Sequence, residues 1–182
     1  MKINGFTLVE MMITIAVAAI LLTVGVPSLT SFYQQVRAEQ NIKQIQSLLA
    51  YARNQATSYQ RSITICPKSN STSSTCGNDW HEGMVVYATM GLSGTGGTGS
   101  SPTQKTLRQL SKFDDGDSIN FKYTSITFSS EGQISSFGED EDSADMVYCP
   151  DNKVSLAKGI TIYASGSNQL TETSLNCTTP KN

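Results

Sequence analysis

The chain has 182 residues, a formal net charge of −2 and a hydrophobic content of 38%. That length accommodates one anchor segment and one modest globular domain. The mildly acidic balance argues against a general nucleic-acid binder, and the abundance of Gly, Ser and Thr with few long charge runs argues for a β-rich domain over a helical bundle.

Residues 1–5 are a polar stub with one basic residue, Lys2. From Phe6 to Pro27 the chain is apolar apart from Glu10, and no charged residue follows until Arg37. Roughly 20 such residues span a bilayer's hydrocarbon core. The run is too long for the core of a secretory signal peptide and no small-x-small site follows it, so the segment is expected to be retained. Lys2 ahead of the run predicts a cytoplasmic N-terminus and export of the remainder. Glu10 is the anomaly: a carboxylate at mid-bilayer costs about 2.5–3.5 kcal/mol and so asks for a partner. The plainer alternative is an ordinary anchor whose carboxylate snorkels to the interface.

The run Gly5-Phe6-Thr7-Leu8-Val9-Glu10, with the apolar stretch ending at Pro27, resembles the class III leader of type IV pilins and type II secretion pseudopilins. The resemblance implies that residues 1–5 are a leader, cut by a prepilin peptidase between Gly5 and Phe6 on the cytoplasmic face, and that Phe6 is then N-methylated. It also implies that Glu10 serves intersubunit assembly by accepting the new terminal cation of its own or a neighbouring subunit. Opposite charges attract strongly in low dielectric while either alone is penalised, so such a pair would set the axial register of packed helices. Retention of Glu10 argues against the extreme-tip subunit of a filament, whose family members commonly lack the acid.

Residues 6–27 are thus expected to form a transmembrane and assembly helix, and residues 28–60 an amphipathic continuation. Leu29, Phe32, Val36, Ile42, Ile45, Leu49, Ala52, Ala56 and Tyr59 make an apolar stripe, mostly at steps of three or four. Gln34, Arg37, Glu39, Lys43, Gln46 and Arg53 occupy the other face. Pro27 lacks a backbone donor and predicts a helix kink there.

From Arg61 the period changes to two. Strands are expected over Ser62–Cys66, Gly83–Thr89, Thr106–Phe113, Ile119–Tyr123, Ser125–Ser129, Gln133–Phe137, Met146–Cys149, Gly159–Ala164 and Gln169–Cys177. A Gly/Ser/Thr-rich loop lies at 91–102 and an acidic loop at 138–145. Residues 61–182 therefore predict one extracytoplasmic β-rich domain. With the resemblance, the expected fold class is α+β: a pilin fold with a long N-terminal α-helix packed on a C-terminal antiparallel β-sandwich.

Within that superfamily the layout resembles the GspH/FimT family of minor pilins and pseudopilins. Its Trp-x-x-Gly step into a strand is matched by Trp80-His81-Glu82-Gly83. DNA-binding members carry Gly-Arg-x-Arg in the last hairpin. The corresponding turn here reads Gly166-Ser167-Asn168-Gln169, and the absence of both arginines weighs against DNA capture by that route.

Four cysteines allow three pairings. The favoured one joins Cys66 to Cys76, closing a short loop, and Cys149 to Cys177, clipping the last strands together. No C-x-x-C is present and His81 is the only histidine, so neither a zinc site nor a catalytic triad is expected. The carboxylates of Asp114, Asp115 and Asp117, and those from Glu139 to Asp145, do not follow the helix-loop-helix calcium pattern and are expected as solvated turn residues. Trp80 is expected as a core anchor. Lys105, Arg108, Lys112, Lys122, Lys153, Lys158 and Lys181 are scattered in the sequence.

The chain is accordingly expected to be a minor pilin, not an enzyme and without cofactor or metal. Its expected partners are other minor pilins, the major pilin, the prepilin peptidase and the inner-membrane assembly platform. It would reside in the bacterial inner membrane before assembly and in a periplasmic or cell-surface pilus afterwards. The alternatives are a type II secretion pseudopilin and a DNA-binding pilin for natural transformation; nucleic acid is the less favoured partner.

Overall fold

The computed structural model describes residues 6–90, 103–138, 141–171 and 175–178, without the side chains of residues 24–28, 90 and 103. Gly5, and the side chain of Pro27 where a kink is expected, lie outside this set. Helix α1 spans Leu8–Tyr59, and the chain divides into two units, Met1–Arg37 and Ala38–Asn182.

In the first unit the helix is apolar nearly all round. Leu8, Val9, Met12, Ile15, Ile20 and Leu21 are each more than half exposed. Among the described residues no helix is long and apolar enough to cross a membrane. The apolar run of the sequence continues through 24–28, whose side chains are not among those described.

In the second unit, Ala38, Ile42, Ile45, Leu48, Leu49, Ala52 and Ala56 form the buried stripe of α1. Their spacing of three and four residues keeps them on one face. Leu29, Phe32 and Tyr59, expected in the same stripe, are exposed. The first two belong to the other unit and Tyr59 ends the helix, so the buried stripe is shorter than the hydrophobic one. On the polar face, Glu39 and Lys43 form an exposed i,i+4 ion pair at 2.6 Å, whereas Arg53 is half-buried.

Eight strands follow: β1 Ile63–Pro67, β2 Met84–Met90, β3 Thr103–Leu110, β4 Ser118–Asn120, β5 Ile126–Phe128, β6 Ser143–Cys149, β7 Lys158–Tyr163 and β8 Asn168–Thr171. They form two four-stranded sheets, ordered β3-β2-β1-β5 and β4-β6-β7-β8, with every pairing antiparallel. Ile65 of β1 lies between Val86 and Ile126 in the first sheet. β1 is buried along its whole length, and its one polar core member, Thr64, shares a 3.0 Å hydroxyl contact with Thr127. A single apolar cluster joins α1 to both sheets, which gives the expected helix-on-antiparallel-sheet architecture.

Five of the strands differ most from the sequence expectation. The third strand ends at Leu110 because Phe113 leaves the ladder, buries its ring and donates its amide to the His81 carbonyl. The fourth ends at Asn120, and Phe121 turns into the core against Trp80. The expected strand Gln133–Phe137 reduces to a bridge between Phe128 and Ile134. β6 begins inside the expected acidic loop, because Ser143, Ala144 and Asp145 pair with Tyr163, Ile162 and Thr161. The last strand stops at Thr171, and the segment carrying Cys177 is tied instead to the end of β6 through Cys149.

Candidate assembly site

The N-terminal end of α1 is built from a local hydrogen-bond exchange. The Thr7 amide and hydroxyl both donate to Glu10 Oε2 at 3.1 Å, and the Glu10 amide donates back to Thr7 Oγ1 at 3.2 Å. This is a reciprocal capping box: it satisfies donors that the first helical turn leaves without partners. It also holds a carboxylate at the positive end of the helix dipole. Thr7 went unremarked in the sequence, although the T-x-x-E spacing ahead of an apolar run is the signal for it. Phe6 stands just before the cap, 88% exposed. Glu10 therefore presents its charge at the end of the chain where cleavage after Gly5 would create an amine.

Trp80 is 4% exposed and donates its indole N–H to the Tyr123 carbonyl at 2.9 Å. It is an anchor in the core, edge-on to Phe121 at 5.5 Å. Residues Trp80–Glu82 form a 3-10 turn, capped at its start by the Asp79 carboxylate and at its end by Gly83. Gly83 has φ +97°, and a Cβ there would lie 2.4 Å from the Leu110 carbonyl oxygen. The Trp-x-x-Gly spacing thus has a steric cause: only glycine enters β2 that closely beneath β3.

The structure pairs Cys66 with Cys76 and Cys149 with Cys177, and no cysteine is free. Around the second bridge Val147, Cys149 and Ala157 form a small core with Leu175 and Cys177. Asn120 donates to the carbonyls of Asn176 and Thr178 at 3.1 and 2.7 Å, so the 175–178 segment is held from two sides.

The acidic residues separate into three environments. Asp115 is exposed and lies 3.0 Å from Lys112; their hydrogen bond and mutual attraction lower the carboxyl's pKa and raise the ammonium's. Asp117, expected as a solvated turn residue, is instead buried, with hydrogen bonds from the Tyr148 hydroxyl and the Asp151 amide. Glu141 takes contacts from Lys122 and Tyr123, and Asp145 accepts from the Thr161 hydroxyl at 2.6 Å. Glu139 and Asp140 lie outside the described residues. Among the described residues no group of three or more His, Cys, Asp or Glu could hold a metal.

The last hairpin joins β7 to β8 through a turn at Ala164–Ser167. Gly166 has φ +78°, and a Cβ on it would fall 1.9 Å from the Gly132 carbonyl. Arg53 of α1 donates to the Ser165 carbonyl at 3.1 Å. The hairpin is pinned to the helix and to a neighbouring turn, and carries Ser167 and Gln169.

A family model described as type II transport protein GspH matches residues 41–166, and one described as the prokaryotic N-terminal methylation motif matches residues 1–26. Among solved structures the chain is similar to the type IV minor pilin FimU of Pseudomonas aeruginosa in two crystal forms. The first is 21% identical at a TM-score of 0.54, covering 77% of this chain and 92% of that one. The second is 23% identical at a TM-score of 0.49, covering 75% and 91%. The first of these likenesses shows the fold. No curated protein matches significantly. With the methylation motif at its start and the domain match over most of its length, the chain belongs to the GspH family.

Proposed function

We propose that the chain is a minor pilin that helps start or tip the assembly of a type IV pilus. The observation that carries the reading is the tandem order of the two family matches, a methylation motif over 1–26 followed by a GspH domain over 41–166. Pilins of this family assemble with other pilins and their machinery, and chains with this motif are membrane-anchored before assembly. The particular partners proposed are other minor pilins, the major pilin, the peptidase that cuts after Gly5, and the inner-membrane platform.

Ordered packing is the mechanism. The exposed apolar side chains of the first unit need lipid or neighbouring helices to cover them. Residues 6–27 wait in the inner membrane with the N-terminus on the cytoplasmic side. Cleavage and methylation then leave a cationic Phe6 amine, and the carboxylate that Thr7 holds in the capping box docks that amine against a neighbouring helix.

The printed description of the domain family, a type II transport protein, supports a second reading, a minor pseudopilin of a secretion machine. Deletion of the chain separates the two. Loss of surface pili and twitching supports the pilus, and secreted enzymes trapped inside the cell support the pseudopilus. A deletion that leaves both unaffected contradicts the subunit role.

A further inference from the structure

We infer that the face of α1 just beyond Pro27 rests in the phospholipid headgroup region on the far side of the inner membrane, so that lipid covers the waiting subunit from Phe6 to Val36. The inference rests on the membrane-held reading above and moves the water boundary nine residues past Pro27.

The 22 residues from Phe6 to Pro27 measure about 33 Å as helix, enough for a hydrocarbon core of about 30 Å. The 31 residues from Phe6 to Val36 measure about 46 Å, close to the roughly 40–45 Å of a bilayer with its headgroup regions included. Apart from Glu10 those 31 residues carry no charge, and Arg37, Glu39 and Lys43 follow at once.

The chemistry of the added segment suits an interface. Ser28 to Val36 sets apolar and aromatic side chains among hydroxyls and amides, without a charge. Such a mixture is too polar for hydrocarbon and too apolar for open water. Steps of three and four place Leu29, Phe32, Tyr33 and Val36 on one helix face. Leu29, Phe32 and Tyr33 are 68, 63 and 62% exposed. With Thr30 and Val36 they line an open hollow of about 440 Å³.

Among the first 50 residues the aromatic ones are Phe6, Phe32 and Tyr33 alone. They stand at the two ends of the run, about 39 Å apart along the helix, as the paired aromatic belts of membrane spans do. Tyrosine suits that level because its ring is apolar and its hydroxyl seeks a polar partner. A neighbouring protein helix would ask for apolar side chains all along the face, not for aromatic ones at the ends.

The test uses the full chain in phosphatidylcholine nanodiscs whose lipids carry bromine either near the top of the acyl chains or near their ends. Phe32→Trp, Leu21→Trp and Ala50→Trp each replace an exposed side chain with a fluorescent reporter. The unmodified chain, with buried Trp80 as its sole tryptophan, sets the baseline. Near-UV circular dichroism checks each fold. Phe32→Trp should emit at shorter wavelength than Ala50→Trp and lose more fluorescence to the shallow bromines than to the deep ones. Leu21→Trp, midway between Phe6 and Val36, should show the opposite order, and Ala50→Trp should lose none. Tyr33→Trp repeats the reading should Phe32→Trp misfold. If Phe32→Trp matches Ala50→Trp while Leu21→Trp is quenched, the segment stands in water; this inference falls and the membrane-held reading stands. Short-wavelength emission without quenching at Phe32→Trp puts a protein neighbour on the face and also overturns it. Leu21→Trp unquenched by either lipid would sink the membrane-held reading, and this inference with it.

Discussion

Tyr148 donates its phenolic hydrogen to the buried carboxylate of Asp117. The tyrosine is 0% exposed and the aspartate 5%. Asn41 of α1 donates to the same phenolic oxygen at 2.7 Å, and the Asp151 amide donates to the other carboxylate oxygen at 3.0 Å. Helix, β6 and the start of β4 are thereby joined by one polar chain inside the core. A hydrogen bond to a buried charge is among the stronger ones, and losing its donor leaves the acceptor desolvated. Tyr148→Phe should therefore destabilise the domain by about 1.5–3 kcal/mol, measured by chemical denaturation of the detergent-solubilised chain. A loss under about 0.5 kcal/mol would show that the carboxylate is satisfied without the hydroxyl.

At Gly83 the backbone is left-handed and the Leu110 carbonyl sits where a side chain would go. Gly83→Ala should cost about 1–3 kcal/mol, with the largest losses of amide hydrogen-exchange protection in β2 and β3. Gly138, where a Cβ meets nothing within 4 Å, is the control: Gly138→Ala should leave stability nearly unchanged.

The two disulfides should differ in value. Chain-entropy reasoning gives about 3.6 kcal/mol for the bridge of sequence separation 28 and about 2.7 kcal/mol for that of separation 10. The longer bridge also ties 175–178 to Cys149. The double change Cys149→Ala with Cys177→Ala should lower the unfolding midpoint more than Cys66→Ala with Cys76→Ala, and should release the Asn120 contacts. The reverse order in a calorimetric comparison would mean that strain or residual structure in the unfolded chain dominates.

Glu10 belongs to the first unit, whereas the domain's core lies in the second. Glu10→Ala should leave near-UV circular dichroism of the domain unchanged while filament incorporation falls about tenfold or more, since a buried cation loses its counter-charge. Incorporation is read by blotting sheared filaments against total cells. Unchanged incorporation would show that Glu10 serves only the capping box with Thr7.

Much of this architecture was legible because its signals are local. The strands centred on Ile65, Val86 and Ile160 follow from β-branched alternation, and the helix to Tyr59 from its period. What escaped depends on distant partners. Asp117 sits in a polar turn, and nothing near it in sequence announces that Tyr148, 31 residues later, will bury it. The acidic stretch before Met146 looks like loop by composition, yet Asp145 enters a ladder because Thr161 is there to pair with it. The stripe positions Leu29 and Phe32 are as hydrophobic as Ile42; periodicity shows that a face exists and leaves open what covers it. The T-x-x-E spacing of Thr7 and Glu10 is a local signal, legible in the sequence.

Mass spectrometry of the native protein's N-terminus is the most direct test of the leader and its processing. The predicted result is a chain that begins at Phe6 and carries one methyl group on its α-amine. A chain that still begins with the five residues before Phe6, its amine unmethylated, would contradict the account.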